Sequence, residues 1–188
     1  MRRGFKTWAE NQAKEQRQNL GLKADAPLPA RRLSARLEIP IFGPKQIPGM
    51  SVVHLDRLLQ QDPLSWSAVT VPVDTGAFII HNTEHAKTRQ ESNLMHEMAH
   101  LLCKHTPIGF NPMDGLPFLI REYDPEQEEE AAWLGGCLQL PRPALLWAIK
   151  RRMTLDEMVQ HFCASSDLIQ YRRGKTGVNL QFSRRLAK

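Results

Sequence analysis

Five residues, His96-Glu97-Met98-Ala99-His100, constrain this chain more than any others. Around them Leu94, Met95, Met98, Leu101 and Leu102 recur at spacings of three and four, which predicts a helix from about Thr88 to His105. Residues four apart lie on one face of a helix, so both imidazoles can reach one ion. Glu97 follows His96 directly and stands beside the place a water would take. A catalytic metal site of this kind has three protein ligands and one water, so the fold has to bring a third donor to the pair. Without that donor the pattern is only a helix with two surface histidines.

Two places offer a candidate. His105 lies five residues after His100, which turns it away from the ligand face and suits a helix-end histidine near the last carbonyls. The stronger candidate is the acidic opening of the next helix. Asp124 can cap it, Pro125 suits its first turn, and Gln127 completes a capping-box pattern. Glu126, Glu128, Glu129 and Glu130 favour its positive end, and it reads on to Leu140 before Pro141 stops it. A carboxylate from a neighbouring antiparallel helix completes a His/His/Glu set. Glu128 stands three residues before Ala131 and seven before Gly135, and those small residues would let the two helices approach closely along that face. The other glutamates read as a solvated first turn.

The rest of the chain is consistent with one α+β unit and a small appendage. Phe5 to Leu20 reads as an amphipathic helix stopped by Gly21, and Leu33 to Leu37 as a short one. Ser51 can cap another that reaches Leu59. Ala68 to Val71 and Ala77 to Ile80 flank an Asp/Gly turn, which predicts an antiparallel hairpin. The polar stretch Thr106 to Pro117 breaks the pattern. After a helix from Ala144 to about Arg151, Thr154 and Glu157 form a capping box that opens a helix through Phe162. A short break then leads into Asp167 to Arg173. Two short helices around a tight turn have the outline of a helix-turn-helix.

Charge is distributed unevenly. The net charge of +5 conceals +5 over residues 1–40, −7 over 41–141 and +7 over 142–188. A basic tail of that kind is either a solvated face or a surface for a polyanion. No apolar run approaches the roughly 20 residues of a membrane span, and the start of the chain leads into polar residues rather than the core of an export signal. Three widely spaced cysteines, Cys103, Cys137 and Cys163, form no CxxC pair and predict a reducing cytoplasm rather than a disulfide framework.

The stretch Glu128-Glu129-Glu130-Ala131-Ala132-Trp133-Leu134-Gly135-Gly136-Cys137-Leu138-Gln139-Leu140-Pro141 resembles the E-x-E-A-x-x-(F/L)-A-x-x-L-L-M-P helix of the ImmA/IrrE zinc metallopeptidases, which follows their H-E-x-x-H helix. Registering Pro141 on the family's proline puts Glu128 on its third zinc ligand. Phe78-Ile79-Ile80-His81-Asn82 and Arg89 are similar to the family's approach to the motif, as is the start from Arg3 through Leu22 to Pro40. The departures are Met95 and Gly135, both at positions usually Ala, and Gln139, which interrupts the usual Leu-Leu-Met-Pro. None touches a ligand or the base.

The resemblance implies an α+β fold: a mostly helical, zincin-like core with a small antiparallel sheet over residues 1–150, and a basic helix-turn-helix-like segment over 151–188. It also implies a cytoplasmic endopeptidase that cleaves a helix-turn-helix repressor and so relieves repression. His96, His100 and Glu128 would hold Zn2+, with Mn2+ as the alternative ion, and Glu97 would be the base. Tyr123, His81, His161 and Tyr171 are nominees for an oxyanion donor. Arg172, Arg173 and Lys175 are candidate DNA contacts under a competing reading, a DNA-associated regulator or antirepressor in which zinc serves structure.

Overall fold

The computed structural model describes residues 1–61, 64–73, 76–106, 109–112 and 119–178, with backbone alone for 109–112 and 119–122. Helices dominate it. In chain order they are α1 (Phe5–Asn19), α2 (Ala30–Arg36), α3 (Val52–Asp56), α4 (Lys87–Cys103), α5 (Pro125–Gln139), α6 (Arg142–Lys150), α7 (Leu155–Phe162) and α8 (Ser166–Thr176). A turn of π-helix, Arg57–Gln61, extends α3.

The predicted hairpin forms as β2 (Ala68–Val73) and β3 (Gly76–His81), paired antiparallel from Ala68 with His81 to Val73 with Gly76. A short β1 (Ile41–Phe42) adds to the other side of β3 in parallel, pairing Ile41 with Ile79. The sheet is therefore mixed, where a purely antiparallel one was expected. Ile41 and Phe42 carry no local signal of their partner, and pairing direction depends on where the chain returns. A second, two-stranded sheet pairs β4 (Gly109–Pro112), inside the stretch that read only as a break, with β5 (Leu119–Glu122) just after it.

Two cores result. The larger collects Phe5, Ala9 and Ala13 of α1, Leu33 of α2, Ile79 of β3, Leu94, Met95 and Met98 of α4, and Ala131, Leu134 and Leu138 of α5, all buried. The smaller collects Leu145 and Ala148 of α6, Met158 and Phe162 of α7, and Ile169 of α8. Ser51, Asp124, Thr154 and Ser165 cap α3, α5, α7 and α8 through their side chains. At α5 the Gln127 amide donates to Asp124 Oδ2 rather than reaching back to the cap backbone. At α7 both halves of the capping box form.

The last carbonyls of a helix lack intrahelical partners. Those of α5 are met by two fully buried arginines. Arg17 of α1 donates to the Leu138 carbonyl at 2.8 Å, and Arg172 of α8 to the Leu140 carbonyl at 3.1 Å. Glu10 of α1 pairs with Arg172 as well. α8 is thus tied to α1 and the end of α5 through its most buried cation. No described helix is long and apolar enough to cross a membrane.

Candidate metal centre

α4 and α5 pack with very little between them, and glycine makes this possible. A Cβ added at Gly135 would lie 3.2 Å from the His96 backbone nitrogen and 3.2 Å from the Met95 carbonyl carbon. Gly135 sits two turns beyond Glu128 on the same face of α5. That contact sets the distance between the helix carrying the two histidines and the helix carrying Glu128.

The three side chains converge. His96 Nε2 lies 3.1 Å from Glu128 Oε2 and 3.1 Å from His100 Nε2, and His100 Nε2 lies 3.4 Å from Glu128 Oε1. They form a group able to hold a metal ion. Donors at the roughly 2.0–2.2 Å bond lengths of a tetrahedral zinc lie about 3.3–3.6 Å apart, so the observed spacings fit one ion with little adjustment. Burial lowers His96, but its hydrogen bond with Glu128 and the charges of Glu97 and Glu128 outweigh it and hold that ring above the ordinary histidine range, so it gives up a proton when it takes an ion. Burial and then the neighbouring His96 ring push His100 down to about 3, leaving a neutral imidazole with a free lone pair. The Glu128 carboxyl is held below the usual carboxylate range, first by its hydrogen bond with His96.

Glu97 points to the side. Its carboxylate accepts a hydrogen bond from the Thr70 hydroxyl of β2, which fixes it against the sheet. Burial pushes its carboxyl up, as suits a group that takes up a proton. Thr70 itself is buried. Nothing in the sequence singled it out, because its contact with Glu97 depends on the tertiary meeting of strand and helix.

The other nominated residues scatter. Tyr123 stacks on the His100 ring, with centroids 3.8 Å apart, and is the one nominee that touches a member of the cluster in the described contacts. His81, at the end of β3, meets Arg31 at 3.1 Å. His161 stacks on Trp147 in the smaller core, and Tyr171 meets Trp133 edge-on. Arg173 is half-buried and Lys175 exposed. Arg172 has to be corrected: it was a candidate DNA contact under the competing reading, but it is fully buried, with its guanidinium bonded to Leu140 and Glu10. A side chain that completes a helix end inside the fold cannot reach a phosphate.

His105 was set aside as a ligand, and it does lie outside the group able to hold the ion, directly behind His100. Glu130 is the residue most misjudged, since it is buried rather than solvated. It stands two residues after Glu128, which turns it off the ligand face, and its meeting with His105 and Arg2 there depends on the fold.

The IrrE N-terminal-like domain model of peptidase family M78 matches residues 54–173. The chain belongs to the ImmA/IrrE metallopeptidase family. The matched region contains the H-E-x-x-H helix, the glutamate helix and α7, and it ends inside α8 at Arg173. No curated protein and no solved structure matches the chain. Membership makes this a metallopeptidase whose substrate is a protein.

Proposed function

We propose that this ImmA/IrrE family member is a zinc-dependent endopeptidase that cleaves a helix-turn-helix repressor and so relieves repression. The observation that carries the reading is the convergence of His96, His100 and Glu128 with Glu97 braced beside them by Thr70. Binding a partner without cutting it requires neither a three-donor set nor a shielded base. The choice of repressor as substrate rests on the family resemblance.

When bound, zinc lowers the pKa of a water towards about 7 and polarises the scissile carbonyl. The side chains do the rest. His96, His100 and Glu128 would hold the ion. Glu97 removes a proton from the attacking water and returns it to the leaving amide nitrogen. Thr70 holds that carboxylate in place beside the centre. The α4–α5 contact at Gly135 holds base and ligands in a fixed relation.

The test is Glu97→Gln, incubated with a purified helix-turn-helix repressor encoded beside the chain. The variant is expected to bind zinc stoichiometrically, as the wild type does, and to release no repressor fragments on a gel that resolves wild-type cleavage. Cleavage at the wild-type rate would remove Glu97 from the mechanism. A wild type that binds no zinc would remove the metal centre.

A further inference from the structure

A chain of hydrogen bonds runs from the candidate metal centre to the second residue of the protein. His100 directs Nε2 at His96 and Glu128, and its other ring nitrogen, Nδ1, lies 3.0 Å from Nδ1 of His105. His105 Nε2 lies 3.3 Å from Glu130 Oε2. The Glu130 carboxylate also accepts from the Arg2 backbone N–H at 2.8 Å and from its Nε at 3.0 Å, and it pairs with Arg2 Nη2 at 2.7 Å. The side chains of His105 and Glu130 are 5% and 3% exposed, so water does not compete for these bonds.

With both rings neutral, one arrangement of protons satisfies this chain. Glu130, surrounded by donors, accepts, so His105 carries its proton on Nε2 and gives it to the carboxylate. Nδ1 of His105 is then an acceptor and takes the proton that His100 carries on Nδ1. His100 is left with its lone pair on Nε2, the nitrogen that faces Glu128 and His96. The direction of the whole chain is imposed from the carboxylate end, and Arg2 holds that end in place. Tyr123, stacked on His100, restrains the ring plane. His105 restrains its rotation and its tautomer.

We propose that His105 and Glu130, clamped by Arg2, are positioning residues that present His100 Nε2 to the metal. The inference rests on the metal-centre reading and adds that the ligand's orientation is set by α5's buried glutamate rather than by the H-E-x-x-H helix alone. Ligating histidines held from behind by a carboxylate or a second group lose about 10–100-fold in metal affinity when the support is removed.

The experiment measures zinc affinity by chelator competition, together with the visible absorption of the cobalt-substituted protein, for wild type, His105→Ala, Glu130→Gln and Arg2→Gln. His105→Ala is expected to bind zinc about 10–100-fold more weakly and to change the cobalt spectrum. Glu130→Gln should follow it, and Arg2→Gln, altering a largely exposed side chain, should show a smaller change in the same direction. Nitrogen-15 histidine spectra of the zinc-loaded wild type do not depend on any variant folding. They should show His105 protonated at Nε2 and His100 at Nδ1. Wild-type affinity and spectrum in a folded His105→Ala, or a His105 proton on Nδ1, would overturn the proposal while leaving the metal centre intact. A wild type without bound metal would overturn the underlying reading, and the proposal with it.

Discussion

The two ends of α5 use charge in opposite ways. Its first turns carry four glutamates, of which Glu128 faces the two histidines, Glu130 is buried against His105 and Arg2, and Glu126 and Glu129 stay largely exposed. Its last turn carries no basic residue, and the cations there come from elsewhere: Arg17 from α1 and Arg172 from α8. Both arrangements match the helix dipole, anions at the start and cations at the end. Their purposes differ. Glu128 is nearly half exposed and directed at a shared point, so it can serve a ligand; Arg172 is sealed in and occupied, so it serves the fold.

The largest effect should come from the start of the helix. Glu128→Gln removes one of three donors and is expected to weaken zinc binding by more than the 10–100-fold that loss of a supporting group causes, abolishing peptidase activity. The zinc-free protein should barely notice. A half-exposed ion pair with a histidine contributes no more than about 1 kcal/mol, so the melting midpoint measured in chelator should stay near wild type. Arg172→Met should do the reverse. It strips the cation from Glu10 and the donor from the Leu140 carbonyl, a buried loss worth about 3 kcal/mol, at the low end for such pairs because Glu10 keeps some solvent. Urea unfolding would read that loss, and zinc affinity of the folded fraction should be unchanged. If Arg172→Met weakened zinc binding while stability held, the division of labour along α5 would be wrong.

How much of this was legible in the sequence follows from the same division. The start of α5 declared itself locally: Asp124, Pro125 and the run of glutamates are helix-start signals, and the small residues after Glu128 marked the face that meets α4. The histidine pair was legible for the same reason, since four-residue spacing is a property of one helix. What escaped depends on distant chain segments meeting. Arg172 looked like any other basic residue of a +7 tail, because burial of a cation at a helix end 32 residues away leaves no local trace. Thr70, the contact of His105 with His100, the burial of Glu130 and the parallel β1 were missed on the same ground. Each has its partner across the fold, and polar residues in a sequence do not announce whether they face water or each other.

The most discriminating change lies between the two ends, where Gly135 and Gly136 are neighbours that face different elements. A methyl at Gly135 meets backbone atoms of Met95 and His96 at 3.2–3.3 Å, whereas one at Gly136 meets the Arg172 side chain at 3.2 Å and Leu168 at 3.6 Å. Alanine favours a helix over glycine by up to about 1 kcal/mol, and overpacking costs about 1–3 kcal/mol. Side-chain carbons shift by a few tenths of an ångström more easily than a helix backbone does. Gly136→Ala should therefore come out near neutral in urea unfolding, with zinc affinity untouched. Gly135→Ala should lose about 1–2 kcal/mol net and also weaken zinc binding, because the backbone it displaces carries His96. Met95 fills a position where the family usually has Ala, and it is completely buried beside that contact. Met95→Ala leaves room for α4 to move away from α5, so the cost of Gly135→Ala should be smaller in that background than in the wild type, a coupling of at least about 0.5 kcal/mol between touching residues. Strictly additive costs would mean that the spacing of the two helices is set elsewhere.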